Sequence, residues 1–154
     1  MKPIKTTAGK ILLYFYHLQR RDFLKLNDLV LVFQKKNIIG GEKQIKIIDK
    51  DNSVIQNLLK ISNNGNEIYN ALVYLRDKKF IEVIAGNYLL EEYQEHFQKF
   101  RVSALGIDMI EGIERGKEEK SKFNIIFNIK LAENMNVESL LKTEVGSLIK
   151  ASLV

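Results

Sequence analysis

Residues 51–82, DNSVIQNLLKISNNGNEIYNALVYLRDKKFIE, constrain the fold more than any other part of this 154-residue chain. They predict a short helix over 53–61, a polar turn, a longer helix and the start of a strand. In the longer helix Ile68, Ala71, Leu72 and Leu75 fall at i, i+3, i+4 and i+7, which makes one apolar face for burial. The opposite face offers Asn66, Asn70, Val73 and Asp77, with Tyr69, Tyr74 and Arg76 on its flanks. The turn Ser62-Asn63-Asn64-Gly65 supplies a capping side chain and a residue free to take positive φ.

Two helices joined in this way, the second presenting amides and phenols, are the ingredients of a helix-turn-helix. Asn and Gln read adenine edges in the major groove, and Asn63, Asn64, Asn66 and Asn70 line one end of the second helix, beside Tyr69. Cations neutralise phosphates, a role open to Arg76, Lys78 and Lys79 at its far end and to Lys60 before it. The charge distribution agrees. Residues 1–60 hold 12 Lys and Arg against 5 Asp and Glu, whereas 61–103 hold 5 against 6 and 104–154 hold 7 against 8. All of the net +5 therefore arises in the first two-fifths, the footprint expected for a polyanion. A lysine-rich surface that only maintains solubility produces the same pattern.

Upstream, Thr6 or Thr7 is expected to cap a first helix running to Gln19, buried through Ile11, Leu12, Phe15 and Leu18 and bordered by Tyr14, Tyr16 and His17. His17 is expected to be a packing or surface residue. The run Leu29-Val30-Leu31-Val32-Phe33 suits a helix or a buried strand. Asn27-Asp28 in front and Gln34-Lys35-Lys36 behind favour the helix. Gly40-Gly41 marks a turn, and residues 43–50 alternate as a short basic strand. Gly41-Glu42-Lys43 lacks the spacing of a phosphate-binding loop, and Asp49, Asp51 and Asn52 lack the rest of a calcium loop, so the latter are assigned to the helix cap.

After the helix pair, residues 80–84 alternate as a strand, Ala85-Gly86-Asn87 predicts a tight turn and residues 88–90 a return, with a further strand over 97–102. Ser103 is placed to cap a helix over 104–113, buried through Leu105, Met109 and Ile110 with Ile107 flanking and Gly116 closing it. The pattern NALVYLRDKKFIEVI, a hairpin and then FRVSALGIDMIEGI resembles the winged-helix superfamily, and in particular the small YjcQ-like proteins of Gram-positive bacteria and their phages. Leu75 to Ile81, Ser103 and Gly106 to Ile110 carry the resemblance, which is best over residues 50–115. It implies an α+β winged helix-turn-helix that binds double-stranded DNA, as a transcriptional regulator of bacterial or phage origin. The alternative is a winged-helix protein–protein interaction module without DNA binding, because fold does not fix function.

Residues 117–122, Lys-Glu-Glu-Lys-Ser-Lys, read as a solvated linker. From Phe123 to residue 131 large apolar residues recur at every second position, which predicts a strand. Asn136 is then expected to cap a helix with Leu140, Leu141, Val145, Leu148 and Ile149 on one stripe. The expected organisation is a winged-helix domain with N-terminal helices over 1–116, a linker, and a strand-helix extension over 123–154. An exposed strand edge and an apolar helix face predict a homodimer through 123–152.

Other classes find little support. There is no cysteine, so disulfides, iron–sulfur clusters and thiolate zinc sites are excluded. His17 and His96 are far apart, and Glu91, Glu92, Glu95 and His96, the nearest approach to a metal cluster, read as a charged edge. No nucleophile motif and no nucleotide-binding glycine pattern occurs, so no enzyme, cofactor or metal is expected. No apolar run reaches the ~20 residues of a membrane span. The N-terminal lysines and apolar stretch lack a small-residue cleavage site, which points to a cytoplasmic protein.

Overall fold

In the computed structural model, residues 3–37, 43–47, 52–88 and 94–152 are described. The fold is α+β. Helices α1 (Ile4–Arg21) and α2 (Phe23–Asn27) lead into a hairpin of β1 (Val30–Asn37) and β2 (Lys43–Ile47). Helices α3 (Ser53–Ile61) and α4 (Gly65–Asp77) precede a second hairpin, β3 (Ile81–Tyr88) and β4 (Gln94–Val102). Then come α5 (Ala104–Glu111), a 3₁₀ turn over Gly112–Arg115, α6 (Lys117–Phe127) and α7 (Val137–Ser152). The strands form one antiparallel sheet in the order β2-β1-β4-β3.

The element at the centre is α1 and not the helix pair. Thr7, Ala8, Gly9 and every residue from Ile11 to Leu18 are buried. A helix that is apolar nearly all round must be enclosed, and α1 touches α2–α7 and β4. The expected single stripe thus understates it, and Tyr14, Tyr16 and His17 are interior residues. Neither threonine caps the helix: Pro3 occupies the N-cap position and its carbonyl accepts the Thr6 and Thr7 N–H groups.

Residues 29–33 are not helical. Asn27 and Asp28 end the short α2, and Leu29, Leu31 and Phe33 are buried while Val30 is exposed, the alternation of a strand. Pairing with β4, with Leu31 opposite Phe97, decides what the isolated run leaves open. The turn expected at Ala85-Gly86-Asn87 is also absent: β3 runs through it, with Gly86 opposite Phe97, and of the expected return over 88–90 Tyr88 still belongs to β3 while 89 and 90 lie outside the described residues. In β4, Lys99 takes a left-handed conformation (φ 58°) and its N–H reaches the Leu29 carbonyl at 3.3 Å. That break in the pleat lets Phe97 and Phe100, three apart, both enter the core, their rings stacked at 6.4 Å.

The C-terminal third differs most from expectation. Residues 117–122 are no linker but the first turns of α6, and residues 123–127 continue the helix. Phe123 and Phe127 are buried with ring centroids 4.9 Å apart, while Ile125 between them is 70% exposed. Asn128, at φ 51°, closes the helix, with its N–H on the Asn124 carbonyl. Asn136 caps α7 as predicted, accepting from the Ser139 N–H at 2.8 Å. The stripe Leu140, Leu141, Val145 and Leu148 is buried in the same core as α1. The strand edge and open helix face that predicted a homodimer therefore do not exist. In α5 the buried residues are Gly106 and Ile110, and Leu105 is half-exposed.

Candidate nucleic-acid interface

The α3–turn–α4 unit forms as its capping residues dictate. Asn52 Oδ1 accepts the Val54 N–H at 2.8 Å to open α3, and Asn64 Oδ1 accepts the Asn66 and Glu67 N–H groups at 2.9 and 3.4 Å to open α4. Gly65 is the first residue of α4 and not a left-handed turn residue. Ser62 Oγ donates to Glu67 Oε2 at 2.6 Å and accepts the Asn64 N–H at 3.3 Å. Glu67 is thereby drawn into the turn.

The apolar face of α4 is buried as expected through Ile68, Ala71, Leu72 and Leu75. Its two flanks are also engaged. Tyr69 lies edge-on to Phe33 and Phe97, at 5.2 and 5.9 Å, so its ring belongs to the packing between α4 and the sheet. Arg76, about two turns further on, follows the same flank, with its guanidinium 5.4 Å from the Phe97 centroid and its Nε 3.7 Å from Asp77. On the other flank Tyr74 donates its hydroxyl to the Ile126 carbonyl at 3.0 Å, docking α6. Burial raises the Tyr74 pKa above its ordinary value, so the phenol stays a donor.

What faces outward is a ridge of Asn66, Asn70, Val73 and Asp77, of which Asn70 and Asp77 are exposed and the others half-buried. Asn63 is exposed in the turn, and Asn64 spends its carbonyl oxygen on the cap. Lys78 and Lys79 are exposed just beyond the helix, with the Lys78 ammonium 5.9 Å from the Tyr74 ring. Lys79 turns the chain into β3 with a left-handed backbone, φ 65°. Of the eight residues singled out, the structure exposes Asn63, Asn70, Lys78 and Lys79, half-buries Asn66, and engages Asn64, Tyr69 and Arg76 in the cap and the packing of α4. Lys60, near the end of α3, is a further exposed cation at the approach to the turn.

Among the described residues no group of three or more His, Asp or Glu is placed to hold a metal ion. Of the acidic edge, Glu91 and Glu92 lie outside the described residues, as do Gly41 and Asp49 of the rejected loop motifs. Among the described residues no helix is long and apolar enough to cross a membrane. No protein-family model, curated protein or solved structure matches the chain.

Proposed function

We propose that the protein is a winged-helix DNA-binding protein, of the kind that regulates transcription, and that α4 is its recognition helix. A capped helix pair followed by a two-stranded hairpin is the order of elements such a fold requires, with β2 an added edge strand. The observation that carries the reading is the exposed Asn70 in the middle of α4. The cap of α4 is supplied by Asn64 and does not draw on Asn70, and side-chain amides suit adenine edges in a major groove. Lys60, Lys78 and Lys79 bracket the ridge and suit backbone phosphates.

Fluorescence anisotropy of labelled duplexes at graded salt tests this reading. Affinity is expected to fall steeply with salt, with a log–log slope of about 0.9 per phosphate neutralised. Lys78→Ala and Lys79→Ala should each weaken all duplexes alike and reduce that slope by about 1, whereas Asn70→Ala should reduce discrimination between sequences. Folded protein with no salt-dependent affinity for any duplex overturns it. That outcome favours a protein-binding module instead, a reading supported by Val73 in the middle of the ridge and Asp77 at its end.

A further inference from the structure

His17 is only 8% exposed, yet no described residue hydrogen-bonds its ring. Among the described residues only the Thr7 hydroxyl is both fully buried and unpartnered, so the His17 nitrogens keep access to solvent. Here the ring lines a cavity of about 160 Å³ between the last turn of α1 and the first turns of α7. Arg20, Arg21, Glu138, Leu141 and Lys142 complete the wall.

The charge in this cavity is lopsided. Three cations and one carboxylate line it, around a ring that has no hydrogen-bond partner among the described residues. Arg20 is partly engaged, since Nη1 donates to the Tyr16 hydroxyl at 3.4 Å and the guanidinium lies 5.4 Å from that ring's centroid. Arg21 and Lys142 form no ion pair or hydrogen bond with described residues. Glu138 stands in the first turn of α7, where the helix dipole favours an acid. Burial lowers the His17 pKa, Arg21 and Arg20 lower it further, and Glu138 opposes them. Converging cations of this kind repel one another until an anion enters.

We propose that this cavity binds a phosphate group, held by Arg21, Lys142 and Arg20 with the His17 ring as a further donor. The lining offers two forked guanidiniums, an ammonium and an imidazole N–H, a donor set that suits a tetrahedral oxyanion. Free phosphate, a small monoester and a nucleic-acid backbone all offer this group, and the test below separates them. The proposal does not depend on the role assigned to α4.

The test follows the imidazole resonances of full-length protein titrated with inorganic phosphate, with chloride balancing the ionic strength. A His96→Gln variant identifies the His17 signal. Phosphate is expected to shift His17 saturably and to raise its pKa. Arg21→Ala and Lys142→Ala should each weaken phosphate about tenfold, as loss of a charged hydrogen bond does. Glu138→Gln should tighten it, a gain that a damaged fold cannot imitate. A linear drift matched by chloride, or equal affinities in all three variants, overturns the proposal. A short duplex that displaces phosphate from His17 identifies the source as a nucleic-acid backbone, and one that leaves the phosphate-bound signal in place identifies it as a free phosphate.

Discussion

Gly106 lies against the carbonyl oxygen of Phe80 so closely that a β-carbon at residue 106 would overlap it. The same carbonyl accepts the Ser103 N–H at 3.0 Å, and Ser103 Oγ donates to the Lys79 carbonyl at 2.6 Å while accepting the Gly106 N–H at 3.0 Å. The first turn of α5 is thus clamped to the backbone that joins α4 to β3, the step on which the direction of the second hairpin depends. Gly106→Ala should destabilise by about 3 kcal/mol or more, since backbone cannot yield as a side-chain tip does. Gly146→Ala is the control. It stands within α7 with no heavy atom within 4 Å of a built β-carbon, and should stabilise by about 0.5–1 kcal/mol. Urea midpoints measure both, and an unchanged midpoint for Gly106→Ala would show that the junction is loose.

A second clamp is polar and fully interior. Asn57 Nδ2 on α3 donates to the Tyr14 hydroxyl on α1 at 2.8 Å, which ties the helix pair to the central helix. Burial raises the Tyr14 pKa, with the Asn57 bond a smaller opposing effect, so the phenol is neutral in ordinary buffers. Tyr14→Phe should cost about 1–3 kcal/mol by stranding the amide, and Asn57→Leu a similar amount by stranding the hydroxyl. The double variant should lose clearly less than the sum of the two. Strict additivity in a thermal double-mutant cycle would mean that the two groups are not coupled.

Thr7 presents the opposite case. Its hydroxyl is buried without a partner among the described residues. Thr7→Val keeps the shape and removes the unpaired group, so a gain of about 1 kcal/mol is expected. A loss of stability on calorimetry would indicate a water or other partner at this hydroxyl.

How much of this was legible in the sequence depended on whether the deciding contact was local. The Asn64 cap and the stripe Ile68, Ala71, Leu72 and Leu75 lie within one helix, and α4 formed where they put it. Residues 29–33 fit either structure until β4 pairs with them, and Ala85-Gly86-Asn87 has turn composition but a cross-strand partner at 96–98. In α6 the ambiguity is arithmetic: Phe123 and Phe127 are four apart, a spacing that belongs to both the strand and the helix period. Ile125 distinguishes them, buried in a strand and exposed in a helix, and only the fold exposes it. For the candidate interface the outward ridge was readable from helical spacing alone. The engagement of Tyr69 and Arg76 was not, because both meet Phe97, more than twenty residues away in sequence. His17 was hidden for a similar reason, since half of the wall around it comes from α7.

That ring also sets a pH dependence. His17 has its pKa lowered in the folded protein from an ordinary value of 6.5, chiefly by burial and further by Arg21 and Arg20, with Glu138 in opposition. As pH falls below about 6.5 the unfolded chain takes up the proton first, so unfolding becomes easier. The contribution of neutral His17 is therefore intact above that value and declines as pH drops towards the folded pKa. His17→Gln, which cannot protonate there, should show a flatter stability profile through this interval, with the two proteins differing in slope and not only in level. Urea unfolding in phosphate-free buffers at successive pH values measures the difference. Parallel profiles would mean that the imidazole titrates alike in the folded and unfolded chain, contrary to its enclosure between α1 and α7.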